Sequence, residues 1–245
     1  MENHPVAAAT HEEACERVAS LFRSRWLRHY VAGKLRSDPV FPAVFESLRG
    51  RTQPLLDVGC GVGLLALYLR GRGWLESIIG IDTDARKIEQ ARRVEASLSP
   101  GLEFFQQDVR DGLPAFQGNI AALDLLHYLE PAQQTALLDA LAERLAPGCV
   151  LLLRDSPSDD SLRHRITHLG EIFAQTISWN LNTPLHFPTR ESINRAFSLD
   201  EFDRVELPVW GRTPFNNRLF IFTKNARGVS ECPRTFTSAA APAAE

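Results

Sequence analysis

A chain of 245 residues that is 44% apolar and 23% charged has the size and composition of one globular α/β domain, or of one domain with an appended lid. Its formal net charge of −3 gives no reason to expect nucleic acid, and no apolar run approaches the ~20 residues needed to cross a bilayer, so neither nucleic acid nor a membrane is an expected partner. Cys15, Cys60, Cys149 and Cys232 form no C-x-x-C pair and no paired histidines accompany them, so neither a metal site nor a disulfide framework is expected; with no basic and apolar leader, the cytoplasm is the expected setting.

The first ten residues offer nothing to offset the entropy of ordering and are expected to be disordered. From Cys15 the residues Val18, Phe22, Trp26 and Tyr30 recur at helical spacing and predict one amphipathic helix. Six Lys or Arg and no acid lie between Arg17 and Arg36, which reads as a solvated outer face rather than a dock for a phosphate-bearing partner or an acyl-carrier protein. Asp38-Pro39 and Phe41-Pro42 are expected to break this helix, and a short one from about Ala43 to Leu48 completes an N-terminal helical cap over residues 1–52.

The apolar run at Leu55 to Val58 predicts a strand, followed by a glycine-rich turn and a helix from Leu64 to Leu69. Further strands are predicted at Ser77 to Ile81, Leu102 to Gln107, from Asn119, and at Cys149 to Leu153, the last wholly apolar as a strand buried on both faces should be. Helices carrying Ile88, Ala91 and Val94, and then Leu137, Leu138, Leu141 and Leu145, lie between them, so the sheet is predicted to be parallel and doubly wound. After Asp155 the rhythm changes. A helix through Ile166, Leu169, Ile172, Phe173, Ile177 and Leu181, and a shorter one capped by Thr189, form a predicted lid over 156–200. Strands at Arg204 to Val209 and Leu219 to Thr223 finish a domain spanning 53–225, and the alanine- and proline-rich tail 226–245 is expected to be disordered.

Asp57 precedes Gly59, Gly61 and Gly63 in an acidic-x-Gly-x-Gly-x-Gly pattern. Lacking a Cβ, these glycines let the backbone take positive φ and approach a ligand at the N-terminus of the next helix. The third glycine comes one residue too early for the dinucleotide fingerprint, which makes an NAD-dependent dehydrogenase the remote alternative. The pattern resembles motif I of the class I S-adenosylmethionine-dependent methyltransferases, and three later segments extend the resemblance in order. Gly80-Ile81-Asp82-Thr83-Asp84 is similar to motif II, Asp108-Val109 to the adenine-binding position after the third strand, and Leu123-Asp124-Leu125-Leu126-His127-Tyr128 to the motif IV loop of small-molecule methyltransferases.

The resemblance implies a Rossmann-like seven-stranded sheet with an antiparallel last strand, a helical N-terminal extension and a helical lid after strand five. It also implies S-adenosylmethionine as cofactor, with S-adenosylhomocysteine as product. The implied cofactor residues are Asp57, Gly59, Cys60, Gly61 and Gly63 in the loop, Asp82 at the ribose with Thr83 beside it, Asp108 and Val109 at the adenine, and Asp124 at the methionine end or the loop backbone. On their own, Asp82 and Asp108 also read as caps. Lys34, Asp38, His127-Tyr128 and Thr213 to Asn217 together resemble methyltransferases of bacterial aryl-polyene or xanthomonadin-type pigment clusters.

The expected activity is methyl transfer to a small-molecule acceptor, phenolic, aromatic or polyketide-like, free or bound to a carrier protein. His127 is the first candidate for a base because an unperturbed imidazole titrates near neutrality; His186 and Tyr30 come second. A catalytically silent S-adenosylmethionine-binding scaffold is the alternative.

Overall fold

The computed structural model describes residues 9–95, 101–158, 185–211 and 216–226. Seven strands form one sheet: β1 Leu55–Val58, β2 Ile78–Asp82, β3 Leu102–Gln106, β4 Asn119–Leu123, β5 Val150–Asp155, β6 Phe202–Pro208 and β7 Arg218–Lys224. Their order is β3-β2-β1-β4-β5-β7-β6, with β7 antiparallel to both neighbours and every other pairing parallel. This is the Rossmann-like arrangement implied by the motifs. The order reverses beside β1, and the loops leaving β1 and β4 flank the crevice where open α/β sheets bind ligands.

Alternation along the strands separates two apolar layers. Leu55, Ile78, Leu102, Val150 and Leu152 face a core shared with α1 His11–Ser20, α2 Arg25–Ser37, α3 Val40–Leu48, α4 Leu64–Gly71 and α5 Ala85–Glu95. Leu56, Val58, Ile120, Leu151 and Leu153 face the opposite core, against α6 Pro131–Arg144 and α7 Arg190–Arg195. At the amino ends of the strands, buried Asn119 stitches the sheet: its Nδ2 donates to the Gln53 carbonyl at 3.0 Å and its Oδ1 accepts from the Val150 amide at 3.1 Å.

The N-terminal cap departs from expectation. The helix predicted to run through Tyr30 is two helices. The first opens on a capping box formed by Thr10 and Glu13; the second restarts at Ser24, whose hydroxyl accepts from the Leu27 amide. The turn between them is held by Arg28, which donates through Nε and Nη2 to the Phe22 carbonyl. Phasing restarts with the second helix. Val18 and Phe22 stay buried, but α2 buries Val31 and Leu35, and leaves Trp26 72% and Tyr30 50% exposed. Asp38-Pro39 does end α2, with Asp38 at the extended ψ of 110° that a following proline demands. Pro42 breaks nothing, because it sits in the first turn of α3, where a missing N–H costs no hydrogen bond.

Thr189 caps α7 through a reciprocal pair with Ser192, as predicted. The lid helix from Ile166 to Leu181, the first eight residues and the tail from 227 lie outside the described residues.

Candidate active site

The glycine loop is built from strand ends. The amides of Gly59 and Cys60 both donate to the Ile81 carbonyl, at 2.8 and 2.9 Å, and the Gly63 amide donates to the Cys60 carbonyl. The three glycines have φ of 75°, 58° and 76°, which other residues rarely adopt. They are not equivalent. A Cβ on Gly63 would lie 2.7 Å from the Phe104 ring, and one on Gly59 would lie 3.3 Å from Leu125, whereas one on Gly61 would meet nothing within 4 Å. Gly63 therefore lets α4 and β3 pack and Gly59 admits the β4 loop, while Gly61 alone faces open space where a ligand can approach. The Cys60 side chain is buried, and burial pushes its thiol well above the usual range. What Cys60 offers a ligand is backbone.

Asp57 lies beneath this loop, 2% exposed, and its Oδ2 has no hydrogen-bond partner among the described residues. Burial first, then the negative charge of Asp82, pushes its carboxyl up to about 7. Asp82 is committed at both oxygens: Oδ2 accepts from the Gly61 amide and Oδ1 from the Asp84 amide, each at 2.9 Å. It closes the glycine loop and caps the approach to α5, and each oxygen keeps a lone pair that a hydroxyl could use. Thr83 donates weakly to Asp108 at 3.5 Å. Asp108 caps the single turn Val109–Asp111 through the Arg110 amide and also receives the Arg110 guanidinium, so the cap role is realised; an adenine amine would share or displace Arg110.

The loop after β4 carries the rest. Asp124 has φ 57°, the one positive value outside glycine among the described residues, a conformation that costs about 1–2 kcal/mol in an L-residue. The motif resemblance implies its carboxylate at the methionine end of the cofactor or at the loop backbone; here it is engaged by Arg154, whose Nε donates at 2.7 Å, which ties the loop to the end of β5. Three residues on, His127 is buried with Nδ1 2.9 Å from Asp155 Oδ1. Asp155, fully buried, also accepts from the His127 and Ser156 amides. As an acceptor of N–H groups it selects the Nδ1–H tautomer, which makes Nε2 the basic nitrogen of the ring. Tyr128 and Phe187 rings lie 4.3 and 5.5 Å from the imidazole.

The second-choice bases divide. The His186 amide donates to the His127 carbonyl at 2.9 Å, so the two residues are neighbours, but the His186 ring faces Glu130 at 3.2 Å. The Tyr30 ring stacks on Trp26 at 5.7 Å on the exposed face of α2. Asp155 and Arg154 were missed in the sequence, although an apolar strand ending in Arg-Asp is a signal that two charges are wanted at its carboxyl end. Among the described residues no group of acids, cysteines and histidines could hold a metal ion, and no helix is long and apolar enough to cross a membrane.

The site fits S-adenosylmethionine on its own geometry. An orphaned, buried carboxylate oxygen suits a cationic ligand, and the open side of Gly61 suits its close approach. Comparison with known proteins agrees. Carboxy-S-adenosyl-L-methionine synthase of Salmonella paratyphi C is 30% identical over 145 residues, covering 57% of this chain and 58% of the other, so the chain spans little more than half the length of that relative. Among solved structures, magnesium protoporphyrin IX methyltransferase (ChlM) of Synechocystis PCC 6803 with bound S-adenosylhomocysteine superposes with a TM-score of 0.61 at 17% identity, covering 86% of this chain and 93% of that one. The mitomycin 7-O-methyltransferase MmcR gives 0.61 at 16% identity, covering 86% and 67%. These two likenesses establish the fold. The family model of the methyltransferase domain matches residues 26–207, from α2 through β6, and with it the chain belongs to the methyltransferase-domain family, whose cofactor is S-adenosylmethionine.

Proposed function

We propose that the chain transfers the methyl group of S-adenosylmethionine to a phenolic oxygen of a small aromatic or polyketide-like acceptor, with His127 as base. The observation that carries this reading is the buried His127–Asp155 pair at the carboxyl ends of β4 and β5. When bound, the cofactor supplies an electrophilic methyl on sulfonium and leaves as a neutral thioether. Asp57 offers its carboxylate to the methionine ammonium, and Asp82 offers lone pairs to the ribose. Asp155 holds the His127 ring by Nδ1–H and stabilises the imidazolium that forms when Nε2 takes the acceptor proton, the arrangement that makes histidine an effective base in unrelated enzymes. The aromatic rings of Tyr128 and Phe187 beside the imidazole favour a flat acceptor. The sequence likeness to pigment-cluster methyltransferases supports the same acceptor class.

The test is formation of S-adenosylhomocysteine from S-adenosylmethionine across a panel of phenols and aromatic polyketide analogues. His127→Ala should lower turnover about 10²- to 10⁴-fold and leave cofactor affinity nearly unchanged. Asp155→Asn should fall in the same direction. Full turnover in His127→Ala removes the base assignment. Cofactor binding without transfer across the panel returns the scaffold reading. Appearance of a modified cofactor in place of a methylated acceptor points to chemistry like that named for the Salmonella relative.

A further inference from the structure

Arg154 and Asp155 are consecutive at the end of β5, so their side chains leave opposite faces of the sheet. Asp155 meets His127 on one side. Arg154, 2% exposed, reaches the N-terminal cap on the other. Its Nη1 donates to both oxygens of Asp38 at 2.7 Å, and its Nε and Nη2 hold the carboxylate of Asp124. Asp38 closes α2 and takes a further ion pair from Lys34 at 2.9 Å. The cluster is neutral, two cations against two anions. Only a planar fork serves two carboxylates along separate edges at once; an ammonium group does not.

Arg154 holds Asp124 twice, because the Asp124 amide also donates to the Arg154 carbonyl at 2.9 Å. That double grip maintains the left-handed turn at Asp124. The turn sends Leu125 back over Gly59, close enough that a Cβ there would lie 3.3 Å away, and delivers His127 to Asp155. We propose that Arg154 is a positioning residue that couples the seating of the N-terminal cap to the assembly of the loop 124–128. With the end of α2 in place, Asp38 locks the guanidinium, the guanidinium locks Asp124, and the turn sets Leu125 against the glycine loop and His127 over Asp155. Cap and loop then form as one unit, although they lie some 85 residues apart in the chain. The proposal rests on the reading of this loop as part of the methyl-transfer site.

The experiment is hydrogen exchange by mass spectrometry on the full ligand-free chain, with calorimetry of S-adenosylhomocysteine binding alongside, for wild type, Asp38→Asn and Arg154→Lys. The lysine variant retains the buried cation that both carboxylates need, so the fold survives while the fork is lost. Both variants should exchange the amides of residues 124–129 roughly tenfold faster, with β1 and β5 at wild-type rates, and should bind S-adenosylhomocysteine several-fold more weakly. Wild-type exchange at 124–129 in either variant overturns the coupling. So does acceleration spread evenly over β1, β4 and β5, which marks the cluster as a contributor to global stability alone. No turnover is read, so failure of His127 as a base leaves these outcomes untouched; a wild-type chain that does not bind S-adenosylhomocysteine overturns the functional reading, while the exchange pattern still decides the coupling.

Discussion

Asp57 and Asp38 are both buried carboxylates near the carboxyl ends of the central strands, and they sit in opposite electrostatic states. Burial by itself raises the carboxyl of Asp38, but the charges of Arg154 and Lys34 and their hydrogen bonds outweigh it and hold the group down at about 2. Among the described residues Asp57 has no such neighbours; burial and then the charge of Asp82 push it up to about 7. A buried ion with every partner supplied by the chain is architecture. A buried acid kept without a cation, beneath a loop whose middle glycine faces open space, has the form of a site whose missing charge comes from outside. The contrast is what the proposed pairing of Asp57 with the ammonium of S-adenosylmethionine rests on, and it sets Asp57 apart from the Asp38–Arg154–Asp124 cluster, whose charges are matched within the chain.

Removing one charge from each region should move stability in opposite directions. Arg154→Met leaves Asp38 and Asp124 without their shared cation, and should cost about 3–5 kcal/mol in urea denaturation at neutral pH. Asp57→Asn should do the reverse. The folded pKa of Asp57 is raised, so the favourable contribution of its protonated form is fully present below about 4 and is lost as pH climbs through about 7. Ligand-free wild type should therefore lose stability between these limits. The asparagine variant should lack that loss and be more stable at pH 8 by up to about 4 kcal/mol, while binding S-adenosylhomocysteine more weakly. A destabilised Asp57→Asn protein at pH 8 breaks the comparison.

How much of this was legible in the sequence follows from which contacts are local. The acidic-x-Gly-x-Gly-x-Gly loop, Asp82, Asp108 and His127 are legible as candidates, because strand ends and turn glycines are written in short windows. Their partners were not. Nothing near Asp155 says that it will meet His127, and nothing near Asp38 says that the end of α2 will reach Arg154; both contacts are products of topology. The same holds for Asp124, whose partner Arg154 comes from the neighbouring strand β5. The break between α1 and α2 was invisible for a different reason: Phe22, Trp26 and Tyr30 keep a spacing of four across it, and only the N-cap residue Ser24 marks the restart.

Within the glycine loop the same division between architecture and ligand can be sharpened at smaller cost. Gly63→Ala combines a positive φ with a Cβ 2.7 Å from Phe104, and should lose about 2–3 kcal/mol of stability by thermal denaturation. Gly61→Ala suffers only the backbone term, about 1–2 kcal/mol, because its Cβ meets nothing within 4 Å. Its loss should fall on the ligand. Calorimetry should show S-adenosylhomocysteine affinity reduced more by Gly61→Ala than by Gly63→Ala, and equal or inverted losses would undo the distinction.

The smallest effect tests the cap. Had one helix run from Cys15 to Tyr30, Trp26 would share the buried stripe of Val18 and Phe22, and its truncation would cost what a core aromatic costs, about 3–5 kcal/mol. The restart at Ser24 changes which side chains face inward. In α2 the inward positions belong to Val31 and Leu35, and Trp26 lies flat on Tyr30 with ring planes 5° apart and most of its surface in solvent. Such a residue contributes through one exposed stack, whose partner loses little when it is removed. Trp26→Ala should therefore shift stability by no more than about 0.5–1 kcal/mol, whereas Phe22→Ala, four residues earlier and fully buried, should show the core value. Thermal denaturation of the two variants side by side measures the difference, and a Trp26→Ala loss equal to that of Phe22→Ala would restore the single continuous helix.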